Sequence, residues 1–99
     1  MVSQVRLYTI KKGKMQDWLK GWRTGVLPLR RKFGFRVEGA WVDESTNRFL
    51  WVLTYDGPES FEARDRAYYA SADREALKPD PAVHIERGEK WFATQAALD

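Results

Sequence analysis

The chain of 99 residues contains no cysteine and one histidine, His84. Without thiols, disulfides, thiolate nucleophiles and cysteine-based zinc or iron–sulfur sites are excluded. One histidine among scattered carboxylates lacks the converging ligand spacing that zinc or iron requires, so no metal site is expected. Serine-nucleophile motifs, phosphate-cradling glycine loops and dinucleotide fingerprints are missing as well, and no cofactor is expected. Gly34-Phe35 and Gly39-Ala40 read as turn and strand glycines. No apolar run approaches the roughly 18–20 residues that cross a bilayer. The N-terminal MVSQVR lacks the basic start and apolar core of a signal peptide. The expectation is a cytoplasmic chain with no membrane partner.

What is present suits one compact domain over residues 1–99: 43% hydrophobic residues, 14% aromatic, and five tryptophans. Charged residues reach 31% with both signs interspersed, which is not the composition of a disordered tail. The net charge of +3 and two basic clusters, Lys11-Lys12-Gly13-Lys14 and Arg30-Arg31-Lys32, raise the question of nucleic acid. Acidic residues are interspersed elsewhere, and the clusters read as a loop and a solvated helix end. No nucleic-acid partner is expected.

Periodicity orders the elements. QVRLYTI, residues 4–10, alternates as a first strand, with Val5 and Leu7 on one side and Arg6 and Tyr8 on the other. From Lys14 the period changes: Met15, Trp18, Leu19, Trp22, Val26, Leu29 and Phe33 mark one face of an amphipathic helix. Pro28 withholds a donor from the carbonyl of Thr24, predicting a kink or break near Gly25. Gly34 is a natural stop. Residues 35–42 alternate as a second strand, with Phe35, Val37, Gly39 and Trp41 on one face. A polar turn, DESTN, joins it to RFLWVLTY, which is apolar on both faces. Pro58 and Glu59 predict the start of a second helix, whose buried side carries Phe61 and Tyr68 with small alanines. A stiff loop, KPDP, precedes a last strand over 83–92, with a bulge or break expected at Gly88.

The order βαββαβ with right-handed crossovers predicts an α+β, ferredoxin-like plait: a four-stranded antiparallel sheet with both helices on one face. Strands one and three take the centre. Helices on one face leave the other face of RFLWVLTY without cover, and a second copy of the chain stacked sheet to sheet would supply it. A homodimer is expected through that face, forming a dimeric α/β barrel.

From Arg6 to Phe92 the chain resembles the NIPSNAP family, part of the dimeric α/β-barrel superfamily. The resemblance rests on the R-x-Y-x-I strand, the K-x-G-K-M helix start, the V-L-P-L segment around Pro28, and the G-x-W hairpin ending in W-V-L-x-Y. It implies the plait and the dimer. It implies no catalytic residue, because the family as a whole has no agreed chemistry. Barrels of this superfamily include small cofactor-free monooxygenases and isomerases that act on aromatic or polyketide-like molecules in a pocket between sheet and helices.

Two constellations are candidates for chemistry. If the last strand pairs with the first in suitable register, His84 and Glu86 share a sheet face with Arg6 and Tyr8. Such a set orients a small acidic or phenolic ligand, with His84 as general base. The plainer alternative is a cross-strand Arg6–Glu86 ion pair with His84 packing at an edge. The tryptophans, Trp18, Trp22, Trp41, Trp51 and Trp91, either line a ligand pocket or form core. An RNA-recognition reading of KFGFRVEG fails, since Phe33 stands where glycine is needed and the stretch precedes strand two. The remaining readings are a small-molecule binding or cofactor-free enzymatic protein, and a non-catalytic dimerisation or interaction module. A cavity of several hundred Å3 touching Tyr8, His84 or the tryptophans separates the first from the second.

Overall fold

The computed structural model describes residues 2–98. The elements are β1 (Val2–Ile10), α1 (Met15–Gly21), a π-helical turn (Trp22–Val26), α2 (Leu27–Lys32), β2 (Phe35–Asp43), β3 (Arg48–Tyr55), α3 (Phe61–Ala70), α4 (Ala72–Glu75), a 3-10 turn (Pro81–His84) and β4 (Ile85–Thr94). The sheet is antiparallel with order β2-β3-β1-β4, so strands one and three are central. All the helices pack on one face. The molecule measures 38 × 37 × 19 Å, and among the described residues no helix covers the second sheet face.

Near Gly25, where Pro28 predicts a kink or break, the helix is irregular but does not end. The ladder instead widens to five-residue steps just before the proline: the Leu27 N–H donates to the Trp22 carbonyl. This π turn carries the chain past the missing donor, so α1 and α2 follow one another without a break in helical residues. The buried residues of this run are Trp18, Trp22, Val26, Leu29 and Arg30. Gly34 (φ 91°) ends it in the left-handed region, as its position implies. The following helix starts three residues later than Pro58 as its first position suggests, because Ser60 is the better cap. Its hydroxyl accepts from the Ala63 N–H at 3.1 Å. Ser71 repeats the arrangement for α4, accepting from Arg74 N–H at 3.1 Å.

Two register features differ from simple alternation. In β2 the residue Glu38 is bulged out: Val37 opposes Leu53, but Gly39 opposes Val52 and Trp41 opposes Leu50. The bulge turns the strand over, so Phe35 and Val37 face the helices while Gly39 and Trp41 face away. The Trp41 indole folds over Gly39, where an added Cβ would lie 2.5 Å from the ring. In β4 the irregularity falls at Glu86, opposite Thr9 and Ile10, and not at Gly88. Gly88 pairs with Tyr8, and a Cβ there would approach the Tyr8 ring to 3.2 Å.

β3 shows why its residues are apolar on both sides. Phe49, Trp51 and Leu53 are almost fully buried beneath the helices. There Phe49 meets Trp18 and Trp22 edge-on at 5.4 and 5.1 Å. Leu50 and Val52 point the other way. Across the sheet they continue as two apolar rows, Trp41–Leu50–Leu7 and Val52–Val5–Trp91. Trp41 and Trp91 are 56% and 44% exposed.

Candidate functional site

The helix-facing side of β1 is polar. Gln4, Arg6 and Tyr8 point under the helices between the apolar ends of the strand, and Arg6 is only 2% exposed. Its guanidinium donates to Gln4 Oε1 (2.6 Å), the Tyr69 hydroxyl (3.0 Å) and Asp65 Oδ1 (3.0 Å). From α2 a second buried arginine, Arg30, donates to the same Asp65 oxygen at 2.7 Å. Its guanidinium carbon lies 3.7 Å from the centre of the Tyr68 ring, a tight cation–π stack. Two buried cations therefore share one carboxylate, and the cluster carries a surplus positive charge.

The ionisation states follow from these contacts. Burial pushes the Asp65 carboxyl up, but Arg6 and Arg30 outweigh it and hold the group below its ordinary range. Arg6 stays cationic: burial opposes the charge, while Tyr8, Tyr69 and Asp65 reinforce it and prevail. The Tyr8 phenol is raised by burial, against the pull of Arg6. Tyr68 is likewise raised by burial, against Arg30 and Arg74.

Beside this cluster lies a cavity of about 50 Å3 between sheet and helices, walled by Tyr8, Trp18, Trp51, Arg30, Tyr68 and Arg74, among others. Among the polar atoms of these residues, Trp18 Nε1 and Arg30 Nε are buried without a hydrogen-bond partner, while Trp51 lies against the Tyr8 phenol and Arg74 against the Tyr68 hydroxyl. The cavity shares Tyr69, Arg74 and Ala82 with an outer groove of about 550 Å3, which extends along Glu75, Leu77, Lys78 and Asp80. The inner nook alone is far below ordinary ligand size, whereas the groove falls within that range.

The constellation expected around His84 does not assemble. His84 belongs to the 3-10 turn ahead of the last strand, and its carbonyl accepts from the Lys11 N–H at 2.9 Å. It borders a separate surface groove with Asp17, Lys20 and Thr24. The cause is Asp80-Pro81: Asp80 accepts from the Ala82 N–H and Pro81 opens a helical turn, so pairing begins only at Ile85. Glu86 sits at the β4 irregularity and is exposed, while Arg6 opposes Lys90 and Tyr8 opposes Gly88. The Arg6–Glu86 pair is therefore replaced by Arg6–Asp65. Of the tryptophans, Trp18 and Trp51 reach the nook. Trp22 is core against Phe49 and Trp51, and Trp41 and Trp91 lie on the opposite sheet face.

Arg30, Asp65, Tyr68 and Arg74 went unrecognised as site residues, and of the basic cluster at the helix end Arg31 and Lys32 are exposed while Arg30 is 1% exposed. The signals were present. Arg30 continues the buried stripe four residues after Val26, and Asp65 lies four after Phe61 and three before Tyr68. A charge on an apolar stripe marks a buried partner. Among the described residues no three His, Asp or Glu side chains converge as a metal site would need, and no helix is long and apolar enough to cross a membrane.

Comparison with known proteins bears on the whole chain. No curated protein matches it. An uncharacterized NIPSNAP domain protein from Burkholderia xenovorans is 25% identical, with a TM-score of 0.84 and coverage of 100% of this chain and 98% of that one. A NIPSNAP family protein from Agrobacterium tumefaciens strain C58 is 20% identical, with a TM-score of 0.85 and coverage of 99% and 88%. An antibiotic biosynthesis monooxygenase shares the fold at a TM-score of 0.67 and 17% identity, covering 98% of this chain and 100% of that one. The family model described as NIPSNAP matches residues 3–98. The chain belongs to the NIPSNAP family.

Proposed function

We propose that this NIPSNAP-family chain is a small-molecule binding protein. Its ligand, a small aromatic or apolar molecule, lies in the groove beside Tyr69 and extends an end group into the nook between sheet and helices. The observation that carries the reading is the set of buried, unpartnered polar atoms around that nook. Leaving such groups unsatisfied costs about 1–3 kcal/mol each, so a bound group or an ordered water that a ligand displaces satisfies them. The groove supplies the volume that the nook lacks. The protein works in the cytoplasm as a homodimer closed over the uncovered sheet face, where Trp41, Leu50, Leu7, Val52, Val5 and Trp91 form continuous apolar rows.

Trp18 and Trp51 wall the nook, so occupancy changes intrinsic fluorescence. Titration with phenol, indole and benzoate is expected to give a saturable change with at least one of them. That change should disappear in Ala82→Phe, which plugs the shared mouth from an exposed position. A response that never saturates, or that survives the plug, rejects the site. Sedimentation showing only an 11.6 kDa species at micromolar concentration rejects the dimer.

A further inference from the structure

We infer that the nook is built for a carboxylate, so that the ligand is a small organic acid entering carboxylate first. This rests on the small-molecule reading above and specifies its chemistry. The unpartnered atoms around the nook share one property. Trp18 Nε1 and Arg30 Nε are donors only, Arg74 beside them also only donates, and the Tyr68 hydroxyl can donate too. A neutral amide or alcohol would bring donors of its own into this set. An ionised carboxylate only accepts, with about four lone-pair sites on two oxygens.

Charge points the same way. Arg6 and Arg30 meet on a single oxygen of Asp65, at 3.0 and 2.7 Å, which leaves one of the two buried positive charges without a counterion. Arg74, the third arginine at the nook, is already matched by Asp80 at 3.0 Å. A carboxylate against Arg30 would neutralise the surplus where water is excluded and the interaction is strongest. The volume also fits: about 50 Å3 holds a carboxylate and its attached carbon, with the rest of the acid in the outer groove.

Acetate and acetamide test this, being alike in size and shape but different in charge and donor count. At constant ionic strength, acetate is expected to raise the melting temperature saturably, while acetamide leaves it unchanged. Tyr68→Phe, which removes one hydroxyl and no volume, should weaken acetate about tenfold. Ala82→Phe should abolish the acetate response. Equal responses to acetate and acetamide overturn the carboxylate assignment but leave the binding site standing. An acetate response indifferent to both substitutions places the anion elsewhere and overturns it as well. No response to acetate, with saturable binding of phenol or indole, overturns the carboxylate alone. Silence to every probe overturns the binding site with it.

Discussion

Along its first strand the two faces of the sheet reverse the usual assignment of polar and apolar residues, whereas along β3 the helix-facing side is apolar. Along β1 the side beneath the helices carries Gln4, Arg6 and Tyr8, whereas the side without helices carries Val5 and Leu7. A strand of a two-layer protein ordinarily buries its apolar side and shows water its polar one. Here the covered side holds a charge cluster anchored on Asp65, and the uncovered side carries Trp41, Leu50, Val52, Leu7, Val5 and Trp91 among polar residues such as Ser3, Thr54 and Glu89. The difference teaches that the faces do different work. The inner one builds a polar site within an aromatic shell, and the outer one is suited to cover by another chain.

The largest effect should come from the inner face. Asp65→Asn keeps the shape of the side chain but leaves Arg6 and Arg30 buried without their shared anion. A loss of about 3–5 kcal/mol is expected in a denaturant melt. A loss below about 1 kcal/mol would show that the inner face does not depend on its charge pairing. The same carboxyl gives the pH dependence at the acid end. Its pKa is lower in the folded chain than in the unfolded one, so its stabilisation is complete above about pH 4 and declines as pH falls through the folded value. Asp65→Asn should flatten that limb.

Neighbouring residues of β3 sharpen the comparison. Leu53 faces the helices and is fully buried, and Leu53→Ala should cost about 2–5 kcal/mol. Val52, one residue earlier, faces outward, and Val52→Ala should cost less than about 1 kcal/mol in dilute protein. Equal losses would abolish the distinction between the faces. Val52→Glu extends the test to assembly: it should convert dimer to monomer in light scattering while circular dichroism stays unchanged. A dimer that tolerates this charge is not closed through this face.

The smallest effect lies at alkaline pH. Burial raises the Tyr8 and Tyr68 phenols, so their contribution is complete below about pH 10 and is lost as pH rises further. Tyr68→Phe should reduce the fall in urea midpoint between pH 9 and 11. An unchanged slope would remove Tyr68 from the inner polar set.

Much of the architecture was legible because it depends on local period. Met15 to Phe33 repeats at three and four residues, RFLWVLTY is bounded by turn residues, and the βαββαβ order leaves few topologies. The site was less legible because its members come from β1, α2, α3 and α4, and no spacing along the chain relates Arg6 to Asp65. His84 shows the opposite error. It stood next to a plausible strand, yet an Asp-Pro pair three and four residues earlier held it in a 3-10 turn. Trp41 was misplaced by one bulged residue, Glu38, since strand alternation reverses with every insertion.

By itself the sequence determined the order of elements, the family, and a strand too apolar for one sheet face to bury. The order and the strand follow from side-chain period and composition, which local geometry reads directly, and the family from the match of its motifs. Tertiary structure alone decided which side of each strand lies under the helices, and that Arg6 and Arg30 converge on one oxygen of Asp65. Register and helix docking set those outcomes, and both arise from contacts between residues tens of positions apart in the chain.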